Sequence, residues 1–145
     1  MKLNIKYIFA ALLLMFIINS NFAQSDSKKD KIAALRANFI SKKVNFTSQE
    51  EHYFWPLYNE MNDKVDAARK AFRAQYNANT NYNFTSDKEA EAYLNAELYL
   101  KQKEFEIYKE YYDKFKKVLP VIKVAAVRRA EDDFKKEIIK TIKEN

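Results

Sequence analysis

The chain has 145 residues, a formal net charge of +6, no cysteine, no glycine and two prolines, Pro56 and Pro120. Those absences exclude a disulfide framework, thiolate metal sites, a lipid-modified cysteine and any glycine-rich phosphate loop. Tight turns at positive φ must be supplied by Asn or Asp, which argues against a hairpin-rich β protein and for an all-α fold.

The first 23 residues read as a secretory signal peptide. Lys2 and Lys6 form a basic start, Tyr7 to Ile18 is an apolar run of 12, and Asn19 to Ala23 turns polar and small. The run is short for a permanent membrane span, so cleavage after Ala23 is expected, with an uncleaved anchor as the alternative. The mature part, Gln24 to Asn145, then has 122 residues and a net charge of +4. That length suits a single α-helical domain with one modest core. Export implies a periplasmic location without stable membrane insertion. It also argues against nucleic acid as a partner, as does the interspersion of acidic and basic residues.

A first helix is expected over residues 27–43, where Ile32, Leu35, Phe39 and Ile40 recur at helical spacing. The sequence Asn-Phe-Thr-Ser then occurs twice, at Asn45 to Ser48 and Asn83 to Ser86. Each copy contains a glycosylation sequon, but each also stands before a long helix-forming run. Thr47 with Glu50, and Ser86 with Glu89, have capping-box spacing, and we read both copies as loop ends that start helices.

The second helix is expected over residues 48–76, with Phe54, Tyr58, Met61, Val65, Ala68 and Phe72 in one narrow stripe. Pro56 lies inside it and is expected to kink it. Residues 77–85 are polar and aperiodic and read as the connecting loop. A third helix over residues 87–118 has Leu94, Leu98, Phe105, Tyr108, Tyr112, Phe115 and Leu119 as its main stripe, expected to face the second helix in an antiparallel hairpin. A second stripe, Tyr93, Leu100, Ile107, Tyr111 and Val118, lies about 110° further round. It is left either to the first or fourth helix, or in part to a second copy or a client. Leu119-Pro120 breaks the path, and a fourth helix follows over residues 121–142 with Val127, Phe134, Ile138 and Ile142 on one side.

Catalytic and metal chemistry finds no support. His52 is the sole histidine and reads as a solvated first-turn residue beside Glu50 and Glu51. Zinc or di-iron sites need several such ligands, and a nucleophilic triad needs partners that are absent at any recognisable spacing. The chain therefore reads as a non-enzyme with no catalytic residue, metal or cofactor. The charged run Arg128 to Asp133 reads as a solvated, locally paired face. Lys101 lies within the main stripe of the third helix with Glu97 one turn before it. It reads as a stem laid over apolar surface, or alternatively as a basic centre that receives acidic client segments.

The stretch Phe46-Thr47-Ser48-Gln49-Glu50, followed by Phe54-Trp55-Pro56-Leu57-Tyr58-Asn59-Glu60, resembles the exported Spy/CpxP-like helical proteins marked by Leu-Thr-x-x-Gln motifs. It is most similar to a Bacteroidetes branch that often carries Phe-Trp-Pro-x-Tyr and is sometimes labelled a sensor of an extracytoplasmic sigma factor. Leu119-Pro120, with Arg129, Glu131 and Phe134, is similar to that branch's C-terminal pattern. The resemblance implies a four-helix cradle that dimerises and holds unfolded proteins on an apolar, basic face without ATP. Phe46 and Glu50 replace the motif's Leu and Gln, and no second motif copy occurs. The expectation is thus an exported holding chaperone or envelope-stress protein, with Tyr53, Trp55, Leu100, Lys101 and Tyr111 as candidate client contacts. The alternatives are a regulatory protein that binds one envelope-stress signalling partner, and a structural helical domain with no client.

Overall fold

The computed structural model describes residues 20–76 and 83–144. It contains four helices, α1 (Ser20–Val44), α2 (Ser48–Tyr76), α3 (Asp87–Val118) and α4 (Val121–Glu144), and no strand among the described residues. α1 starts ahead of the boundary expected at residue 27, so the cleavage point expected after Ala23 falls inside it. The apolar run Tyr7 to Ile18 and most of the expected loop at residues 77–85 lie outside the described residues. No described helix is long and apolar enough to cross a membrane.

Local chemistry sets the helix ends. Asn45 follows α1 at φ 52°, the left-handed conformation that commonly stops a helix. In a chain without glycine, an asparagine is the best remaining choice for it. Leu119 ends α3 in extended backbone (φ −132°, ψ 149°), as the ring of Pro120 requires of the residue before it. The Pro120 carbonyl then accepts the amides of Lys123 (2.9 Å) and Val124 (3.2 Å), which opens α4. α2 runs on through Pro56, which is exposed.

The described chain divides into two compact units. One joins α1 up to Lys43 with α4 from Ala130, and in it the rings of Phe39 and Phe134 lie 5.6 Å apart. The other, Val44–Arg129, holds the long hairpin of α2 and α3. Phe54 meets Phe115 at one end of that hairpin (5.0 Å) and Phe72 meets Tyr93 at the other (5.7 Å), so the helices are antiparallel.

α2 buries Phe54, Tyr58, Met61 and Val65, all at the alternating four- and three-residue spacing of a coiled-coil seam. α3 answers with Ile107, Tyr111 and Phe115. This corrects the expected face of α3. The seam takes Ile107 and Tyr111 from the second stripe and keeps Phe115 and Leu119 of the first, whereas Leu94, Leu98 and Phe105 of the first are exposed. The two stripes are similarly apolar, and the charges beside them decide between them. With the second stripe inward, Glu104 receives Arg69 (Nε to Oε1 2.5 Å) and Glu110 lies 3.8 Å from Lys64. The first stripe carries Lys101 at its middle and would bury a cation.

Tyr111 is fully buried, with the ammonium groups of Lys64 and Lys114 5.0 and 4.1 Å from its ring centroid. Its hydroxyl is near enough to hold the Glu60 carboxyl below its usual range, yet among the described residues it has no partner with hydrogen-bond geometry. The missing geometry governs the energetics, because a buried hydroxyl without a partner costs free energy. Two outcomes follow for chemical denaturation. Phe54→Ala is expected to lower stability by about 3–5 kcal/mol, since it opens a cavity in the seam. Tyr111→Phe, which keeps the ring and removes the unsatisfied hydroxyl, is expected to match or exceed the parent protein.

Candidate functional site

The Val44–Arg129 unit presents a knot of polar contacts at one end of the hairpin and an open apolar surface along α3. At the knot, the Thr47 amide donates to Glu50 Oε2 (2.7 Å) and the Glu50 amide donates to Thr47 Oγ1 (3.2 Å), a reciprocal cap that starts α2. Lys123 of α4 donates to the same Glu50 oxygen (2.6 Å) and to the Asn45 carbonyl (3.0 Å). One ammonium group thus ties the turn after α1, the start of α2 and the first turn of α4.

The second Asn-Phe-Thr-Ser copy is wired differently. The Ser86 hydroxyl accepts the Glu89 amide (3.3 Å), but the Glu89 carboxylate accepts from the Thr85 amide (2.8 Å) and hydroxyl (2.7 Å) rather than from Ser86. The cap residue has moved one place along the same four letters, so the two copies are not equivalent.

Beside the knot, Trp55 is half-buried in a cluster with Phe46, Phe54 and Tyr58, at ring separations of 6.1, 5.0 and 5.3 Å. Tyr53 is exposed, packs edge-on against His52, and lines a surface hollow of about 500 Å³ with Gln49, Lys117 and Val118.

Along α3 the exposed row is Leu94 (56 %), Leu98 (64 %) and Phe105 (66 %). Lys101 stands within it, exposed, its ammonium 3.6 Å from Glu97. These positions follow the same four- and three-residue alternation as the hairpin seam, so α3 carries a second seam-like face that α2 does not cover.

The candidate contacts expected from the sequence separate accordingly. Tyr53 and Lys101 are accessible, Trp55 and Leu100 are half-buried, and Tyr111 lies in the core. Tyr111 cannot touch a client without opening the hairpin, because its face of α3 is the one that packs on α2. Periodicity alone places Leu94, Leu98 and Phe105 in the hairpin, and they are instead the open surface. The signal that distinguishes the faces is the pair of acids, Glu104 and Glu110, flanking the other stripe. Among the described residues no group of three or more His, Asp or Glu is placed to hold a metal.

No protein-family model, curated protein or solved structure matches this chain. The likeness to Spy/CpxP-like proteins therefore rests on the residues quoted above.

Lys123 holds the Glu50 carboxyl below its ordinary value of 4.5, helped by the Thr47 amide. A carboxyl with a lowered folded pKa contributes stability that is present above about pH 4.5 and lost as pH falls through the folded value. Thermal melts of Glu50→Gln are thus expected to fall below the parent at pH 7, with the gap closing as the pH falls below 4.5 and through the folded value. Thr47→Ala should cost about 1 kcal/mol at pH 7, as expected for a lost N-cap hydroxyl.

Proposed function

We propose that the chain is an exported, ATP-independent holding chaperone, or envelope-stress protein, that binds exposed apolar segments of unfolded polypeptides and acts as a homodimer in a Spy-like cradle. The observation that carries this reading is the row Leu94, Leu98 and Phe105, each more than half exposed on a helix whose other face is closed by α2. An exposed row of large apolar side chains of this kind marks an interaction site.

The physical chemistry suits weak capture. Apolar burial contributes about 25 cal/mol per Å², so a few hundred square ångströms allow reversible holding without an energy source. Lys101 interrupts the row with a hydrated cation. It limits self-association and accepts acidic residues that neighbour apolar ones in a client. The resemblance of Phe46 to Glu60 to exported chaperone-like proteins supports export, dimerisation and the cradle.

Light scattering of two unrelated, chemically unfolded proteins, with and without the Gln24 to Asn145 chain and without nucleotide, tests the proposal. Both should be kept from aggregating at near-stoichiometric amounts. The triple variant Leu94→Ser, Leu98→Ser, Phe105→Ser should need about tenfold more protein for the same effect, since three exposed side chains lose their apolar burial on the client. Its melting temperature should stay near that of the parent. A folded parent chain that protects neither protein would overturn this reading and point to a regulator with one folded partner.

A further inference from the structure

A groove lies between α2 and α3 in the half of the hairpin away from the Thr47 cap. Its volume is about 270 Å³, just below the usual range of small-molecule sites. Ala68, Phe72, Ala96 and Leu100 are its half-buried floor, while Ala71, Gln75, Tyr99 and Lys103 form an exposed rim.

The groove has a packing origin. Seam positions on α2 hold Phe54, Tyr58, Met61 and Val65 in turn, and the next one holds Ala68. The side chain shrinks to a methyl, and Ala71 and Ala96 flank the gap without refilling it. Such a gap costs dispersion contacts in the empty protein, and a ligand of matching shape restores them.

The groove also has a polarity. Arg69 pairs with Glu104, so Lys103 lies at the Ala68 end; the Tyr76 hydroxyl donates to the Ala92 carbonyl (3.4 Å), so Gln75 lies at the far end with Ala96. From residue 68 to residue 75 the helix rises about 10 Å. That is the reach of a saturated chain of roughly eight carbons at ordinary bond lengths. Lys103 forms no ion pair among the described residues, and the adjacent acid, Glu104, is already taken by Arg69. The rim therefore offers a cation at one end of an apolar trough and no carboxylate among its lining residues.

We propose that this groove binds a medium-chain amphiphile with an anionic head, of the class of free fatty-acid carboxylates. The tail lies over Ala68, Ala96 and Leu100, and the head group pairs with Lys103. The inference does not depend on the chaperone reading, because the groove and the Leu94 row use different residues.

Titration of the purified chain with decanoate, below its micellar concentration, tests it by calorimetry and by methyl NMR. Saturable binding that shifts the Ala68, Ala71 and Ala96 methyls is expected. Decyltrimethylammonium, with the same tail and the opposite charge, should bind more weakly. Lys103→Glu should weaken decanoate about fivefold, as for loss of an exposed ion pair. Ala96→Leu should abolish binding by filling the trough, and Ala71→Leu at the exposed rim serves the same purpose if Ala96→Leu fails to fold. No saturable binding, shifts centred on Leu94 and Leu98, or equal affinity for the cationic amphiphile would each overturn the proposal. So would undiminished binding by a folded Leu variant.

Discussion

The choice of face on α3 governs the hairpin. The helix carries two apolar stripes about 110° apart, either of which could close on α2 by hydrophobicity alone. The charges around them break the tie. With Tyr111 and Ile107 inward, Glu104 and Glu110 come out on either side of the seam, where Arg69 and Lys64 meet them. With Leu98 and Phe105 inward, Lys101 would enter the seam. Exposed ion pairs are individually weak, but a choice between two nearly equal hydrophobic faces needs only a small bias. The open row on α3 and the groove between the helices are both consequences of that choice.

Much of the secondary structure is legible in the sequence, and the tertiary choice is not. The starts of α2 and α3 coincide with Thr47 and Ser86 because capping is a local exchange between residues three apart. The extended Leu119 before Pro120 is equally local. The face of α3 is not local. It depends on Arg69 and Glu104, 35 residues apart, and the periodicity that finds a stripe is blind to what stands beside it. Lys123 is further from legibility still. It bridges Asn45 and Glu50 across more than 70 positions, and nothing in its neighbourhood sets it apart from the other lysines of the chain.

The absence of glycine shapes the connections as well. Left-handed backbone falls to Asn45, and the carbonyl of that same residue then accepts from Lys123. The residue that stops α1 is therefore also a contact for α4. A glycine could supply the backbone angle, but it would also widen the range of conformations open to the unfolded turn. Asparagine at a position held from outside by an ammonium group gives the turn less freedom than its sequence suggests.

Trp55 is the one tryptophan in the chain, and it sits half-buried among Phe46, Phe54 and Tyr58 next to the cap that starts α2. Its indole is therefore a built-in optical reporter with a single address. Emission from this protein describes the order of the aromatic cluster at the foot of the hairpin and says little of Leu98, Phe105 or the trough beside Leu100. Events at the knot and events along the hairpin are spectroscopically separable in the unmodified chain, and a silent fluorescence signal on adding a ligand carries no information about the distal half.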